Sequence, residues 1–367
     1  MKILLLLGSF EKGGAETTAF EFAKNAQQAG HEIFVSALRN RGKMRADYQQ
    51  AGIETSSELL HFKYDLLAAV RLKKVINNVA PDAIIILDAL KNLMSLGGWA
   101  IKHASVKCPV LLWLHSVSTG QLGDFSNRLS RAISQNWIDK IICITQQQAK
   151  LVSSQNISAS KISIIYNGVD FAKFSSDQKL CDVRNQNSVA KISEPFTWVQ
   201  VANVMPDKDF PTLIKAVEIL HAQGENFRVK LVGRGTDSPE IQNMIPDDLP
   251  IELLGSRSDI PEILSSADGF VLASKSEVFS VSTLEALASK LPVVVPDIPG
   301  FEEMITAGKT GLKPRPENPQ SYAQAMQKIM HDENFAAQIA EAGLSVAMKF
   351  SSEQMCEKML SLLAELL

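Results

Sequence analysis

The 367-residue chain contains only four cysteines, which are spread along it as Cys108, Cys143, Cys181 and Cys356. No two of them have the close spacing of a disulfide-stabilised small domain or of a zinc site. Their scarcity excludes both classes of protein and favours a reducing compartment, the cytoplasm.

Long apolar runs are also missing. No window approaches the roughly 20 consecutive apolar residues that a membrane-spanning helix needs. The apolar run at residues 3–7 is shorter than the core of a secretory signal, which needs about seven residues or more. We therefore expect a cytoplasmic protein that at most rests on the inner face of the cytoplasmic membrane.

The chain has no strong charge of one sign. Its formal net charge is −3, which excludes a general nucleic-acid binder. The charge is unevenly distributed, because residues 1–177 carry 20 Lys and Arg against 14 Asp and Glu, whereas residues 178–367 carry 17 against 26. A basic first half indicates an anionic partner, and drift between two domains explains the asymmetry equally well.

What the sequence does have is a regular alternation of short apolar runs with longer amphipathic ones. Runs that are apolar on both faces, such as residues 83–87 and 110–114, are typical of strands in a parallel sheet covered by helices. Residues 15–26 carry apolar side chains at the spacing of a helix. Because both halves show the alternation, we predict an α/β protein of two doubly wound, Rossmann-like domains that face each other across a cleft.

One polar segment interrupts this alternation. It is rich in Ser, Asp, Asn and Gln and ends at Pro195, which is typical of an interdomain linker. We place the first domain at residues 1–177, the linker at 178–195 and the second domain at 196–350. Residues 351–367 have the apolar stripe of a closing helix.

Ligands of open α/β sheets bind beyond the carboxyl ends of the strands, so the residues that follow strands are the candidates. In the first half, Gly13 and Gly14 open a helix and allow its amides to approach a phosphate or a sugar. A simple strand-to-helix turn explains the two glycines equally well. His115 follows the strand-like run at 110–114, and we predict that it donates a hydrogen bond to a sugar hydroxyl or assists acid–base chemistry. A purely structural histidine is the alternative.

In the second half, Asn203 and Lys208 follow the first strand-like run. Lys208 stands where a cation reaches a diphosphate at a helix N-terminus. Asp207 and Asp209 on either side of it have the letters of a two-aspartate metal motif, but the central lysine and the following helix favour Asp209 as a helix cap. We therefore predict no metal. Gly233 follows the next strand-like run and suits a close backbone approach to a nucleotide.

The most specific segment contains two glutamates, Glu277 and Glu285, separated by seven residues. Glu277 is placed to reach a bound sugar, Glu285 to accept hydrogen bonds from a ribose diol, and the helix start near Ser282 to present amides to phosphates. Ser282 and Glu285 also spell a capping box, which would tie Glu285 to its own helix. The spacing leaves the two interpretations open.

Together these segments resemble the retaining, nucleotide-sugar-dependent glycosyltransferases of family 4, which belong to the class with two Rossmann-like domains (GT-B). The matching stretches occur in the family's order and are residues 13–16, 167–170, 208–216, 254–260 and 276–288. The resemblance implies transfer of a sugar from a UDP- or GDP-sugar to a hydroxyl acceptor with retention at the anomeric carbon. It implies neither a cofactor nor a metal, because the nucleotide sugar is the donor substrate. It also implies that helix 351–367 crosses back onto the first domain.

The resemblance assigns roles to single residues. It implies that Glu285 binds the ribose and that Glu277 contacts the donor sugar. The chain departs from the family at Asn203, where an arginine is usual, and at Val278 and Ser280, where glycines are common. The predicted catalytic residues are thus His115, Glu277 and Lys208, and the predicted donor-binding residues are Gly13, Gly14, Asn203, Lys208, Gly233, Arg257, Glu277, Ser282 and Glu285.

The acceptor implied by the resemblance is a saccharide, and we expect a lipid-linked one used in bacterial surface-polysaccharide or lipopolysaccharide biosynthesis. Residues 63–74 combine basic and apolar side chains and could lie on an anionic membrane. A solvated helix with its other face in the core explains them as well. The alternatives for the whole protein are a UDP-sugar 2-epimerase and a non-catalytic two-domain protein that binds a small ligand.

Overall fold

A computed structural model of the chain describes residues 1–57, 59–61, 65, 67–88, 93–115, 136–155, 157–175 and 194–367. It divides into two compact units. Unit 1 comprises Met1–Gly168 and Ser352–Leu367, and unit 2 comprises Val169–Ser351. Of the predicted linker, only the last two residues lie within the described part of the chain.

Unit 1 is built on a parallel sheet of seven strands in the order β3-β2-β1-β4-β5-β6-β7. The strands are β1 (Lys2–Leu7), β2 (Glu32–Ala37), β3 (Glu54–Ser56), β4 (Ala83–Leu87), β5 (Val110–Leu114), β6 (Lys140–Cys143) and β7 (Ile162–Ile164). The central strands β4 and β5 are buried along their whole length, as their unbroken apolar sequence predicts.

The helices of unit 1 connect successive strands, apart from the last one, which returns to the unit from the end of the chain. They are α1 (Gly14–Gln28), α2 (Met44–Gln50), α3 (Leu67–Val79), α4 (Gly98–His103), α5 (Gln146–Ser153) and α13 (Ser352–Leu366). Helix α13 packs on α1 and buries Met355, Met359 and Leu363. The core of unit 1 therefore contains side chains from both ends of the sequence.

Unit 2 is built on a parallel sheet of five strands in the order β10-β9-β8-β11-β12. The strands are β8 (Phe196–Val201), β9 (Phe227–Val232), β10 (Ile251–Gly255), β11 (Gly269–Val271) and β12 (Val293–Val294). The helices are α6 (Phe171–Ser175), α7 (Phe210–Ala222), α8 (Pro239–Gln242), α9 (Ile260–Ser265), α10 (Val281–Ala288), α11 (Pro319–His331) and α12 (Glu333–Ala347).

The two parallel α/β domains predicted from the alternating pattern are confirmed. We predicted that the first domain ends at residue 177, but unit 1 ends at Gly168. The boundary lies earlier because the short helix α6 packs on α9 and α10 of unit 2. In the described part of the chain, every helix is too short or too polar to cross a membrane.

Candidate functional site

In unit 2, the loops that follow β8 and β11 are tied together at the carboxyl end of the sheet. Lys208 and Ser274 form an isolated antiparallel bridge. The carbonyl oxygen of Asp207 accepts hydrogen bonds from the Ser274 hydroxyl at 2.9 Å and from the Lys275 amide at 2.8 Å. The two loops therefore act as one support for the side chains that project from them.

This support brings together the predicted residues Lys208 and Glu277. The ammonium group of Lys208 donates a hydrogen bond to Oε1 of Glu277, and their side chains are only 17% and 10% exposed. The carboxylate of Asp207 lies 3.9 Å from the same ammonium group. Because the pair is largely shielded from water, its electrostatic interactions are stronger than those of a surface ion pair.

Asp209, unlike Asp207 and Lys208, caps a helix. It is buried, and its Oδ1 accepts a hydrogen bond from the amide of Thr212 at 3.4 Å, which makes it the N-cap of α7. The capping interpretation of the aspartate–lysine–aspartate sequence is thereby confirmed for Asp209.

The second glutamate lies in the helix that follows Glu277. The N-cap of α10 is Ser280, whose Oγ accepts hydrogen bonds from the Thr283 amide at 3.3 Å and from the Thr283 hydroxyl at 2.9 Å. The alternative capping box of Ser282 and Glu285 is wrong, because the helix begins at Val281 and both residues lie inside it. Glu285 is half-buried, so packing does not seal it away from a ligand.

Asn203 and Gly233 fasten the loop after β8 to the loop after β9. Oδ1 of Asn203 accepts a hydrogen bond from the amide of Arg234 at 2.9 Å. Gly233 has a φ of 143°, and a Cβ atom there would lie 2.1 Å from the carbonyl oxygen of Ala202. The Gly233 amide donates to the carbonyl of Gly255 at 2.8 Å. Both residues thus have structural bonds, and their contact with a nucleotide stays a prediction.

Arg257 lies in the loop after β10 and is exposed. Its Nε donates to Oδ1 of Asp259 at 2.8 Å. The hydrogen bond and the charge of that carboxylate raise the pKa of the Arg257 guanidinium. Its role in donor binding stays a prediction.

In unit 1, His115 directly follows β5. Its amide donates to Oδ1 of Asp88 at 2.7 Å, and Asp88 itself has the left-handed φ of 60°. Burial lowers the pKa of His115 to about 3. The imidazole is therefore neutral near pH 7, which favours hydrogen-bond donation over acid–base chemistry.

Asn167 precedes Gly168 in an Asn–Gly pair that is typical of a turn, was not among the predicted site residues, and lies beside this histidine. Its Nδ2 is 3.5 Å from Nδ1 of His115. In the described part of the chain, Nε2 of His115 and Oδ1 of Asn167 are buried and have no hydrogen-bond partner. A hydroxyl group matches both atoms, because it can accept from a protonated Nε2 and donate to an amide oxygen. The position of Asn167 just after β7 was the available sequence signal.

The glycine pair of unit 1 stands at the start of α1. Gly13 is the N-cap in an extended conformation, and Gly14 is the first helical residue. A Cβ atom on Gly13 would approach only the flexible end of the Glu16 side chain, at 2.6 Å. Position 13 would tolerate another residue sterically, and contact of Gly13 and Gly14 with a ligand stays a prediction.

Two family models match the chain, one in each unit. The model described as Glycosyltransferase Family 4 matches residues 12–173, and the model described as Glycosyl transferases group 1 matches residues 183–346. Between them the two models match most of the chain, which confirms the predicted resemblance to the family 4 glycosyltransferases, of the class with two Rossmann-like domains.

The relatives agree with this family. An uncharacterized glycosyltransferase of Methanocaldococcus jannaschii is 26% identical over 59% of this chain and 56% of its own length. The N,N'-diacetylbacillosaminyl-diphospho-undecaprenol alpha-1,3-N-acetylgalactosaminyltransferase of Campylobacter jejuni is 25% identical over 63% and 61%. The chain thus spans less than two thirds of the length of these relatives. The crystal structure of Anabaena HepE in complex with UDP-glucose covers 100% of both chains with a TM-score of 0.83 and 22% identity, which shows the shared fold.

Proposed function

We propose that the protein is a retaining glycosyltransferase that moves a sugar from a UDP- or GDP-sugar to a hydroxyl acceptor. The observation that carries the proposal is the shielded pair of Lys208 and Glu277, which follows β8 and β11 and precedes the start of α10. Ligands of such sheets bind beyond the carboxyl ends of the strands. The UDP-glucose in the HepE structure supports UDP as the nucleotide.

In this proposal, each side chain acts on one part of the donor. Lys208 and the amides at the start of α10 stabilise the departing diphosphate. Glu277 contacts the sugar as it gains oxocarbenium character, and Glu285 accepts hydrogen bonds from the ribose. The neutral His115 donates to a sugar hydroxyl. The positive charge comes from the protein, so the proposed reaction requires no metal and no cofactor.

We further propose a lipid-linked saccharide as the acceptor, in the synthesis of a bacterial surface polysaccharide. The relative from Campylobacter is named for an undecaprenol-linked substrate. Helix α3 exposes Leu67 and Val70 (64% and 40%) together with the exposed Lys74 at helical spacing. Basic and apolar side chains on one helix face suit an anionic membrane surface.

Thermal-shift measurements with UDP, GDP, ADP and their sugars test the donor. Only the correct nucleotide should raise the melting temperature. Product analysis then separates the function classes. Transfer requires an acceptor, whereas a UDP-sugar 2-epimerase converts the donor alone. A shift in melting temperature without any product would support a binding protein and contradict the proposal.

A further inference from the structure

The turn that follows β12 lies directly against the backbone of Glu277. Pro299–Phe301 form a 3₁₀ turn. A Cβ atom on Gly300 would lie 2.3 Å from the carbonyl oxygen of Glu277, 2.6 Å from its carbonyl carbon and 2.7 Å from its Cβ. Real Cβ atoms essentially never approach other atoms this closely. Glycine is therefore the only residue that fits at position 300 without moving one of the two segments.

The turn itself is firmly held. Phe301 is 0% exposed, and its carbonyl oxygen accepts a hydrogen bond from the Ile305 amide at 2.7 Å. The Phe301 amide donates to the carbonyl of Ile298 at 3.2 Å. Because a buried aromatic ring anchors the turn, a side chain at position 300 would push mainly on the opposite segment.

The segment that carries Glu277 is anchored on both sides of it. On one side, the Ser274 hydroxyl shares its proton between the carbonyl oxygens of Asp207 at 2.9 Å and Ser276 at 3.0 Å. On the other, the buried Phe279 packs edge-on against Phe350 with ring centroids 5.6 Å apart. Between these anchors, a shift forced by an added Cβ has to be taken up by Glu277.

We infer that Gly300 is a positioning residue for Glu277. Because Gly300 has no side chain, the turn can pack directly against the Glu277 backbone. This packing holds the Glu277 carboxylate at the ammonium group of Lys208. This inference rests on the proposed function, in which Glu277 contacts the donor sugar. It adds a structural reason why the segment after β12 takes part in that site.

The variant Gly300→Ala is expected to lower the turnover number about tenfold to a hundredfold, the cost of a displacement on the order of 1 Å at a reacting group. Affinity for UDP should stay within about twofold, because UDP lacks the donor sugar that Glu277 is proposed to contact, whereas affinity for the UDP-sugar should fall. Gly97→Ala is the matched control, since a Cβ atom on Gly97 meets nothing within 4 Å.

A double-mutant cycle with Glu277→Gln gives the decisive measurement. If Gly300 acts through Glu277, Gly300→Ala should cost less than about twofold once Glu277 has been replaced. An equal loss in both backgrounds would overturn the inference, as would normal turnover of Gly300→Ala alone. If Gly300→Ala does not fold, Pro299→Gly loosens the same turn without adding an atom, and the same cycle applies to it. Absence of transfer by the unmodified protein would instead contradict the proposed function.

Discussion

At the scale of single residues, the site depends on a lysine held against a glutamate in partly dry surroundings. Lys208 and Glu277 are 17% and 10% exposed, so neither charge is freely hydrated. A diphosphate bound beside Lys208 would replace solvent that is already largely excluded. Fixed charges in such a place need little reorganisation when negative charge develops on a leaving group.

Replacing Lys208 with alanine is expected to lower transfer about a hundredfold, or roughly 3 kcal/mol of transition-state stabilisation. The removed ammonium group is the proposed partner of the leaving diphosphate. Initial rates at limiting and saturating donor measure the effect. Lys309→Ala is the control, because Lys309 is an exposed lysine of the same unit. Near-normal rates for Lys208→Ala at both donor concentrations would refute the donor-site assignment.

Replacing Glu285 with alanine should weaken UDP binding about tenfold or more, because a carboxylate bonded to a ribose hydroxyl contributes on the order of 1.5–3 kcal/mol. The loss should largely disappear for 2′,3′-dideoxy-UDP, which lacks the diol. Titration calorimetry with the two nucleotides compares the variant with the unmodified protein. An equal loss for both nucleotides would show that Glu285 does not bind the ribose.

His115 gives the stability of unit 1 a pH dependence with a definite sign. Its pKa is about 3 in the folded protein and about 6.5 in an unfolded chain. Between these values the unfolded state binds more protons, so stability falls as the pH decreases from about 6.5 towards 3. This loss of folding stability reaches about 2 kcal/mol near pH 5, and His115→Gln should abolish it. Urea unfolding at pH 7 and pH 5 measures the free energy of unfolding at each pH. If the variant lost as much stability between the two as the unmodified protein does, the assignment would be contradicted.

The sequence allowed some of these residues to be predicted and not others. Lys208, Glu277 and His115 were recognisable because each is a reactive side chain just after an apolar run. Gly300 was not recognisable, because the need for glycine there comes from its contact with the backbone of Glu277, 23 positions earlier in the chain. Asn167 was missed because Asn–Gly is typical of a turn. A local sequence pattern does not show which distant segments contact each other in the fold.

At the scale of elements, helix starts fix where the site residues lie. Ser280 is the N-cap of α10, and Ser280→Ala should cost about 1 kcal/mol of stability. Ser282→Ala tests the alternative capping box of Ser282 and Glu285. It should change the free energy of unfolding by only a few tenths of a kcal/mol, because Ser282 lies inside the helix. Denaturation of both variants distinguishes them, and a larger loss for Ser282→Ala would contradict the observed cap.

The strands show why apolar pattern predicts some elements and not others. β4 and β5 were predicted with the bounds that the structure has, because their residues are buried on both faces. β3 was missed. Its three residues, Glu54–Ser56, are polar and lie at the edge of the sheet, where β2 supplies the pairing and Ser36 accepts a hydrogen bond from Ser56 at 2.8 Å.

At the scale of the whole molecule, unit 1 depends on a helix that follows unit 2 in the chain. Leu363 of α13 is 0% exposed, whereas Leu367 is 63% exposed. Leu363→Ala should therefore destabilise unit 1 by about 2–5 kcal/mol, and Leu367→Ala should have an effect within about 0.5 kcal/mol. Thermal unfolding monitored by tryptophan fluorescence compares the two variants. Equal stability would show that α13 contributes little to the core.

The proposed membrane partner can be tested on the same unit. The protein should float with vesicles containing anionic lipid and lose this binding as salt increases. Replacing both Leu67 and Val70 with glutamate should abolish flotation, because it removes the exposed apolar side chains of α3 and adds negative charge. Met348→Glu is the control, at a 61% exposed apolar residue of unit 2. Flotation that neither salt nor the double variant reduces would contradict membrane binding through this helix.

The split composition of unit 1 has a consequence for how the protein is made. Residues 169–351 are synthesised between its two segments. A nascent chain therefore carries the surface of α1 without its cover until all of unit 2 has left the ribosome. Uncovered apolar surface attracts chaperones and promotes aggregation. A chain that stops anywhere within unit 2 would carry the same uncovered surface permanently, which makes truncated products of this protein natural targets for quality control.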